Sequence, residues 1–154
     1  MNRYTEALTE FQKAYNSHVG VTVDDNPEEF LQVLKLRHNL IEEELNEFYK
    51  AVFETYCAYM DYDDDAVKKK AMVEMIDGIT DLLYVVVGTA VAFGIPIDTA
   101  FERVHASNLS KLGEDGKPIY RKDGKILKGP NFFPPKLTDL VTKKGGRLQF
   151  VTNE

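Results

Sequence analysis

The chain has 154 residues, of which 44% are apolar and 29% are charged, and its formal net charge at pH 7 is −6. This length suits one domain, which we predict to span residues 1–154, and the acidic balance argues against a general nucleic-acid or membrane-surface binder. The single cysteine, Cys57, excludes an intrachain disulfide framework and favours a reducing compartment, so we expect a cytoplasmic protein.

The charges are unevenly distributed along the chain. Asp and Glu outnumber Lys and Arg in residues 1–110, whereas Lys and Arg are in excess in residues 111–154. We therefore predict an acidic helical body over residues 1–111 and a basic tail over residues 112–154. This distribution suits a site where metal cations and a polyphosphate meet, although uneven surface charge would produce the same pattern.

The first predicted helix covers about residues 4–17. Leu8, Phe11 and Tyr15 recur there at spacings of three and four residues, which places them on one helical stripe. This amphipathic start lacks the apolar core that a signal peptide needs, so secretion is not expected.

A second, long helix is predicted to begin after Asn26. Asn26 suits the N-cap, Pro27 suits the first helical position, and two acidic residues follow in the first turn. Apolar residues such as Leu34 and Phe48 then keep helical spacing, without glycine or proline, beyond Met60.

A third helix is predicted between the acidic run at residues 61–65, which offers N-cap side chains, and Gly94. After Asp81 this helix is apolar nearly all round, so we expect it to be buried and to need cover from a second copy of the chain. A homodimer or homotetramer is therefore predicted. The apolar stretch at residues 82–97 falls short of the roughly 18 residues that indicate a membrane span, and no membrane partner is expected.

A short fourth helix is predicted to be capped by Asp98 and to end near Leu109. In the tail, the Asp123-Gly124 dipeptide lies between two short apolar pairs and predicts a small hairpin. Beyond residue 138 the sequence supports no prediction.

Six carboxylates are predicted to meet if the second and third helices pair as an antiparallel hairpin that turns at about residue 62. Glu47 then faces Asp77, and Glu43 faces Asp81. Residues three or four apart share one face of a helix, so the carboxylates of each helix point the same way. The predicted patch contains Glu43, Glu44, Glu47, Glu74, Asp77 and Asp81.

Like charges this close repel each other, so a partly buried patch requires cations or protons. Oxygen ligands suit Mg²⁺, with Mn²⁺ as the alternative. Taken alone, the run at residues 42–47 is more typical of a solvated helix face, but Asp77 and Asp81 interrupt an apolar run, where unpaired acids are seldom buried. A di-iron site is not favoured, because the Glu-x-x-His spacing that it uses fits only residues 102–105.

The order and spacing of these acids resemble a known family. Glu43-Glu44-x-x-Glu47, followed about thirty residues later by Glu74-x-x-Asp77 in a helical chain, resembles the all-α MazG-like nucleotide pyrophosphohydrolases. The tail, HASNLSKLGEDGKPIYRKDGKILKGPNFFPP, resembles a phosphoribosyl-ATP pyrophosphohydrolase-like subgroup. The resemblance implies an all-α fold of antiparallel helical hairpins, like a four-helix bundle, in a dimer or tetramer.

Carried over by position, the resemblance implies four Mg²⁺ ligands: Glu44, Glu47, Glu74 and Asp77. It implies that Glu43 and Glu47 act in catalysis, with Glu43 orienting or deprotonating the attacking water, and it gives Asp81 a supporting role. Residues of the fourth helix and the tail would bind the nucleotide and its phosphates: Asn108, Lys111, Arg121, Lys125 and Lys128. For the tail cations, a solvated surface role is an equal alternative.

The activity that the resemblance implies is Mg²⁺-dependent hydrolysis of nucleoside triphosphates between the α and β phosphates, releasing a monophosphate and pyrophosphate. The predicted role is clearance of canonical or damaged nucleotides, with pyrimidine deoxynucleotides slightly favoured. The alternatives are hydrolysis of phosphoribosyl-ATP in histidine synthesis and a non-catalytic helical module that binds nucleotides or a partner. Base preference is not readable, because the loop and first-helix positions that would contact the base, such as Gln12 and Tyr15, lie in no motif. For Tyr84, a place in the core is favoured over stacking on the base.

Overall fold

Helices dominate the structure, a computed structural model that describes residues 3–23, 26–61, 63–144 and 147–151. Its elements in chain order are helices α1 (Arg3–Ala14), α2 (Pro27–Asp61), α3 (Asp65–Phe93) and α4 (Ile97–Leu109), a 3₁₀ turn (Thr138–Leu140), and strands β1 (Val141–Lys144) and β2 (Arg147–Phe150). The predicted all-α fold class is confirmed, with the two short strands as an addition near the C-terminal end.

The ends of the long helices follow local signals in the sequence. The Oδ1 atom of Asn26 accepts a hydrogen bond from the backbone of Glu29 at 3.2 Å, and Asp64 caps α3 in the same way. Gly94 ends α3 with a φ of 64°, a left-handed conformation that glycine adopts without strain. The predicted cap of α4 is wrong: this helix already begins at Ile97, so Asp98 has helical backbone and lies in the first turn.

Helices α2 and α3 form the predicted antiparallel hairpin. A Cβ atom added to Gly78 would lie 3.1 Å from the Cα atom of Phe48, so the two helices approach closely at this point. Farther along, the hydroxyl of Thr55 donates to the backbone oxygen of Ala71 at 3.0 Å. The predicted turn at residue 62 lies outside the described residues. These contacts place Glu44 level with residue 82, about two residues away from the predicted pairing.

Helix α1 packs against α3 through a small apolar core. Leu8 is buried against Val87 and Val91, and these three side chains form one cluster. The loop after α1 is tied to the same end of α3, because the backbone N–H of Gly20 donates to the carbonyl oxygen of Val91 at 3.0 Å. Helix α1 and the loop after it thus cover part of the C-terminal third of α3.

The prediction that α3 is buried holds for only part of the helix. Most residues from Val87 to Phe93 are buried, whereas Leu83 and Val86 in its middle are exposed. Among the described residues, α3 is the one helix long and apolar enough to cross a membrane by length and composition alone. The core helix of a soluble protein meets the same criterion, and the acids Asp77 and Asp81 lie within α3.

The chain divides into two compact units, residues 1–95 and residues 96–154. In the second unit, Tyr120 pairs with Ile126 in an antiparallel bridge around Gly124, which confirms the predicted tail hairpin. The hydroxyl of Ser107 in α4 donates to the backbone oxygen of Phe133 at 2.8 Å, so the tail is held along this helix. Strands β1 and β2 pair as a second hairpin. The prediction that residues 1–154 form one domain, with a helical body up to residue 111 and a basic tail after it, stays a prediction.

Candidate functional site

The acidic patch lies on the facing sides of α2 and α3, where Phe48 contacts Gly78. Helix α2 contributes Glu44, which is half-buried, and the exposed Glu43 and Glu47; helix α3 contributes the exposed Asp77 and Asp81. The close approach at Gly78 favours glycine, because a Cβ atom there would crowd the Phe48 backbone at 3.1 Å. It brings the backbones near enough for acids of both helices to interact. Glu44 is the member most removed from water.

The electrostatics of Glu44 show which acids are neighbours. Burial raises the pKa of Glu44 above its ordinary value, and the charges of four other carboxylates raise this pKa further: Glu47, Asp81, Glu43 and Asp77. The charge of Asp81 raises the pKa of Glu44 more than the charge of Asp77 does. This order agrees with the helix pairing that places Glu44 level with residue 82. Five of the six predicted acids therefore share one electrostatic neighbourhood.

Glu74 is the sixth predicted acid, and it is not among the charges that raise the pKa of Glu44. It is exposed on α3 and lies about two helical turns from Asp81, toward the start of this helix. Its predicted role as a metal ligand stays a prediction.

The chemistry of this patch fits a hard divalent cation. All donors are carboxylate oxygens, and the repulsion among them is of the kind that such a cation relieves. Within the described residues, no three Asp, Glu, His or Cys side chains lie close enough together to form a ready coordination sphere. Binding of a cation by three of these acids would therefore require their side chains to move closer together.

The predicted phosphate-binding residues lie in the second unit, and several already have partners. The ammonium of Lys111 donates to the side-chain oxygen of Asn108 at 2.7 Å. Arg121 forms an ion pair with Asp123 and lowers the pKa of that carboxyl. Lys128 lies over the ring of Phe132, 4.2 Å from its centroid, whereas Lys125 is exposed.

Comparison with known proteins identifies the family. Residues 8–108 match the family described as phosphoribosyl-ATP pyrophosphohydrolase. The chain belongs to this family. The resemblance to the MazG-like all-α pyrophosphohydrolases, stated from the sequence, is thereby confirmed, and the domain has the general class of a nucleotide pyrophosphohydrolase, a hydrolase of acid anhydrides.

A similar stretch of sequence occurs in a longer protein. An uncharacterized protein of Acanthamoeba polyphaga mimivirus is 29% identical over 141 residues, which cover 88% of this chain and 45% of the viral protein. The chain thus spans less than half the length of the curated relative that it matches.

This pyrophosphohydrolase domain contains a buried polar pair, Gln12 and Arg37. From the sequence, Gln12 is named only among the positions that would contact the base, and Arg37 is not predicted as a site residue. Gln12 on α1 is 1% exposed, and its Nε2 atom donates to the backbone oxygen of Gly88 at 2.7 Å. Arg37 on α2 is 7% exposed, and burial lowers its pKa. The sequence contains one signal that Arg37 faces inward. Arg37 lies four residues after the buried Val33 and seven before Glu44, on the same stripe of α2.

Three aromatic residues lie at the boundary between α1 and α3 of the same domain. The ring of Phe11 is 4.6 Å from that of Tyr15 and meets Tyr84 edge-on at 5.5 Å. Tyr84 is 37% exposed, so its predicted place in the core is wrong. Its edge-on contact with Phe11 leaves more than a third of the residue open to solvent.

Proposed function

We propose that this domain hydrolyses nucleoside triphosphates between the α and β phosphates, in a reaction that depends on Mg²⁺ and yields a nucleoside monophosphate and pyrophosphate. The observation that carries this proposal is the placement of five acids, Glu43, Glu44, Glu47, Asp77 and Asp81, on the paired helices α2 and α3, near enough that the charges of the other four raise the pKa of Glu44. Such a concentration of carboxylates, in a family of nucleotide pyrophosphohydrolases, suits the joint binding of metal and polyphosphate.

In this proposal Glu44, Glu47 and Asp77 hold the metal, and a fourth carboxylate, Asp81 or Glu74, completes the set. Bound there, Mg²⁺ or Mn²⁺ lowers the pKa of water and neutralises phosphate charge. Glu43, exposed beside Glu44, orients the attacking water and accepts its proton. The roles of Glu43 and Glu47 in catalysis follow the family pattern.

The proposed substrates are canonical or damaged nucleoside triphosphates. We further propose that Asn108, Lys111, Arg121, Lys125 and Lys128 bind the nucleotide, that the enzyme is a homodimer or homotetramer, and that it acts in the cytoplasm. Phosphoribosyl-ATP, the substrate in the name of the family, is the second candidate.

A pyrophosphate-release assay across the common deoxynucleoside and ribonucleoside triphosphates and phosphoribosyl-ATP, with and without Mg²⁺, tests the proposal. We expect stoichiometric monophosphate and pyrophosphate from at least one triphosphate, with Mg²⁺ and not with EDTA. Exclusive turnover of phosphoribosyl-ATP would instead support the second candidate. Binding of triphosphates without turnover of any of these compounds would contradict both and favour a non-catalytic module.

A further inference from the structure

One segment of the tail, residues 129–139, runs antiparallel to α4, and we call this segment the strap. At one end, the backbone N–H of Gly129 donates to the carbonyl oxygen of Lys111 at 2.9 Å, just beyond the last turn of the helix. Toward the other end, the guanidinium of Arg103 donates to the backbone oxygen of Lys136 at 2.7 Å. Later residues of the strap thus contact earlier residues of α4, so the strap follows the helix over about two turns.

Two serine side chains of this helix end hold the middle of the strap. The hydroxyl of Ser107 donates to the carbonyl oxygen of Phe133 at 2.8 Å, and the hydroxyl of Ser110 accepts from the N–H of Phe133 at 3.1 Å. The hydroxyl of Ser110 also donates to the backbone oxygen of Ser107 at 2.7 Å. Ser107 is 4% exposed, so losing one partner of its hydrogen bond would leave a polar group unsatisfied away from water. We call these two residues the serine clamp.

The strap also lies directly on the turn that follows α4. Gly129 is buried, and a Cβ atom added to it would overlap the carbonyl oxygen of Leu112 and lie 2.9 Å from that of Lys111. Glycine is therefore required for this backbone contact. Because α4 ends at Leu109, Lys111 lies beyond the helix, and the strap supplies the hydrogen bond to its carbonyl oxygen.

The residue held in this way presents donors to solvent together with Asn108. The ammonium of Lys111 donates to the side-chain oxygen of Asn108 at 2.7 Å. An ammonium has no acceptor, so this contact directs the amide NH₂ of Asn108 away from Lys111 and leaves it available as a donor. The remaining N–H groups of Lys111 and this NH₂ form one positively charged group of donors. Phosphate oxygens, which only accept, suit such a group.

We propose that the strap positions Lys111 for phosphate binding, and that the serine clamp and Gly129 are its positioning residues. This inference rests on the proposed function for the phosphate-binding role of Lys111 and Asn108. The two serines and the glycine do not touch the phosphate, because their polar groups are bonded to the strap or to the helix end. They fix the turn after α4 before the substrate arrives. The ordering of Lys111 then costs little when a phosphate binds.

The test is a double-mutant cycle between Ser107 and Lys111. Calorimetry measures binding of the Mg²⁺ complexes of the α,β-imido analogues of dUTP and dATP, which are not cleaved at the proposed bond. Lys111→Met should weaken binding of at least one analogue about tenfold or more, because a charge-assisted hydrogen bond is lost. Ser107→Ala should weaken this binding about threefold or more in the parent. In the Lys111→Met background it should have almost no effect, since no ammonium is left to position.

Three further variants show whether the serines act through the strap. Ser110→Ala should weaken binding as Ser107→Ala does, and the amide of Phe133 should lose protection from hydrogen exchange. Ser110→Thr keeps the hydroxyl and should restore both. The matched control, Thr142→Ala, removes a hydroxyl at an exposed position of β1 and should change neither.

The outcomes separate this inference from the proposed hydrolysis. An equal effect of Ser107→Ala in the two backgrounds would overturn the inference and make the clamp a contribution to the fold alone. Unchanged binding in Lys111→Met, or in both alanine variants of the serines, would also overturn it. Coupled effects without pyrophosphate release from dUTP or dATP would contradict the hydrolysis alone, whereas failure of the parent to bind either analogue would contradict both.

Discussion

Among single residues, Glu44 gives the acidic patch a measurable pH dependence. Its pKa in the folded protein is raised above the usual value of 4.5 by burial and by neighbouring acids, so the folded state binds the proton more tightly than the unfolded state. The resulting stabilisation is present below pH 4.5 and is lost as the pH rises through the raised pKa. We predict that, in metal-free protein, Glu44→Gln removes this fall in the free energy of unfolding with rising pH. Urea unfolding across a pH series, with the exposed Glu42→Gln as control, measures it.

The ligand set can be resolved by three amide variants. Asp77→Asn removes a negative charge from the patch, so in the absence of metal this variant should melt no lower than the parent. It should lose most of the stabilisation that Mg²⁺ gives the parent, and its kcat/KM should fall at least about 10–100-fold. Because Asp81 raises the pKa of Glu44 and Glu74 does not, Asp81→Asn should cost more activity than Glu74→Gln. Full activity of Asp77→Asn would contradict the metal site, and a larger loss in Glu74→Gln would restore the set predicted from the sequence.

Among the elements, the α2–α3 hairpin depends on the close approach at Gly78. A Cβ atom there would lie 3.1 Å from the backbone of Phe48, so a branched side chain must push the helices apart. We predict that Gly78→Val lowers the free energy of unfolding by about 1–3 kcal/mol and weakens the stabilisation by Mg²⁺. The control is Ala66→Val, at an exposed position of α3. Equal unfolding curves for the two variants would show that the contact is unimportant.

The basic tail is the second element whose function is open to test. If its cations bind phosphates, removing three of them should raise KM for a triphosphate severalfold while kcat changes less. The variant replaces Arg121, Lys125 and Lys128 by alanine. The control loses the same charge elsewhere in the second unit, by alanine at Lys117, Lys122 and Lys136. Equal KM values for variant and control would leave these residues as solvated surface charge.

For the whole molecule, the exposed apolar surface of α2 and α3 predicts self-association. Phe53 is 66% exposed and Ile76 is 61% exposed, so contacts within the described chain leave most of both residues open to solvent. We expect at least a dimer that buries on the order of 2,000 Å² or more. Sedimentation at micromolar concentration measures this, and Phe53→Glu should shift the protein toward monomer while the exposed Lys69→Glu does not. A monomeric parent would contradict the prediction.

The sequence by itself determined the long helices and their hairpin. Asn26, Asp64 and Gly94 act through hydrogen bonds and backbone conformation within a few residues, so their effect is readable without knowing what packs nearby. The Asp123-Gly124 hairpin is local in the same sense. The order and spacing of the acids along the chain predicted the family. The match of residues 8–108 to the family confirmed it.

Only the tertiary structure decided what depends on how the helices meet. The contact of Gly78 with Phe48 sets the pairing of α2 and α3, and thereby places Asp81 rather than Glu74 in the electrostatic neighbourhood of Glu44. Likewise, helical periodicity marks Arg37 as inward-facing but does not show that Gln12 of another helix meets it at Gly88. The physical reason is that caps and turns act over a few residues, whereas packing joins groups that are distant in the chain and whose alignment depends on side-chain volume.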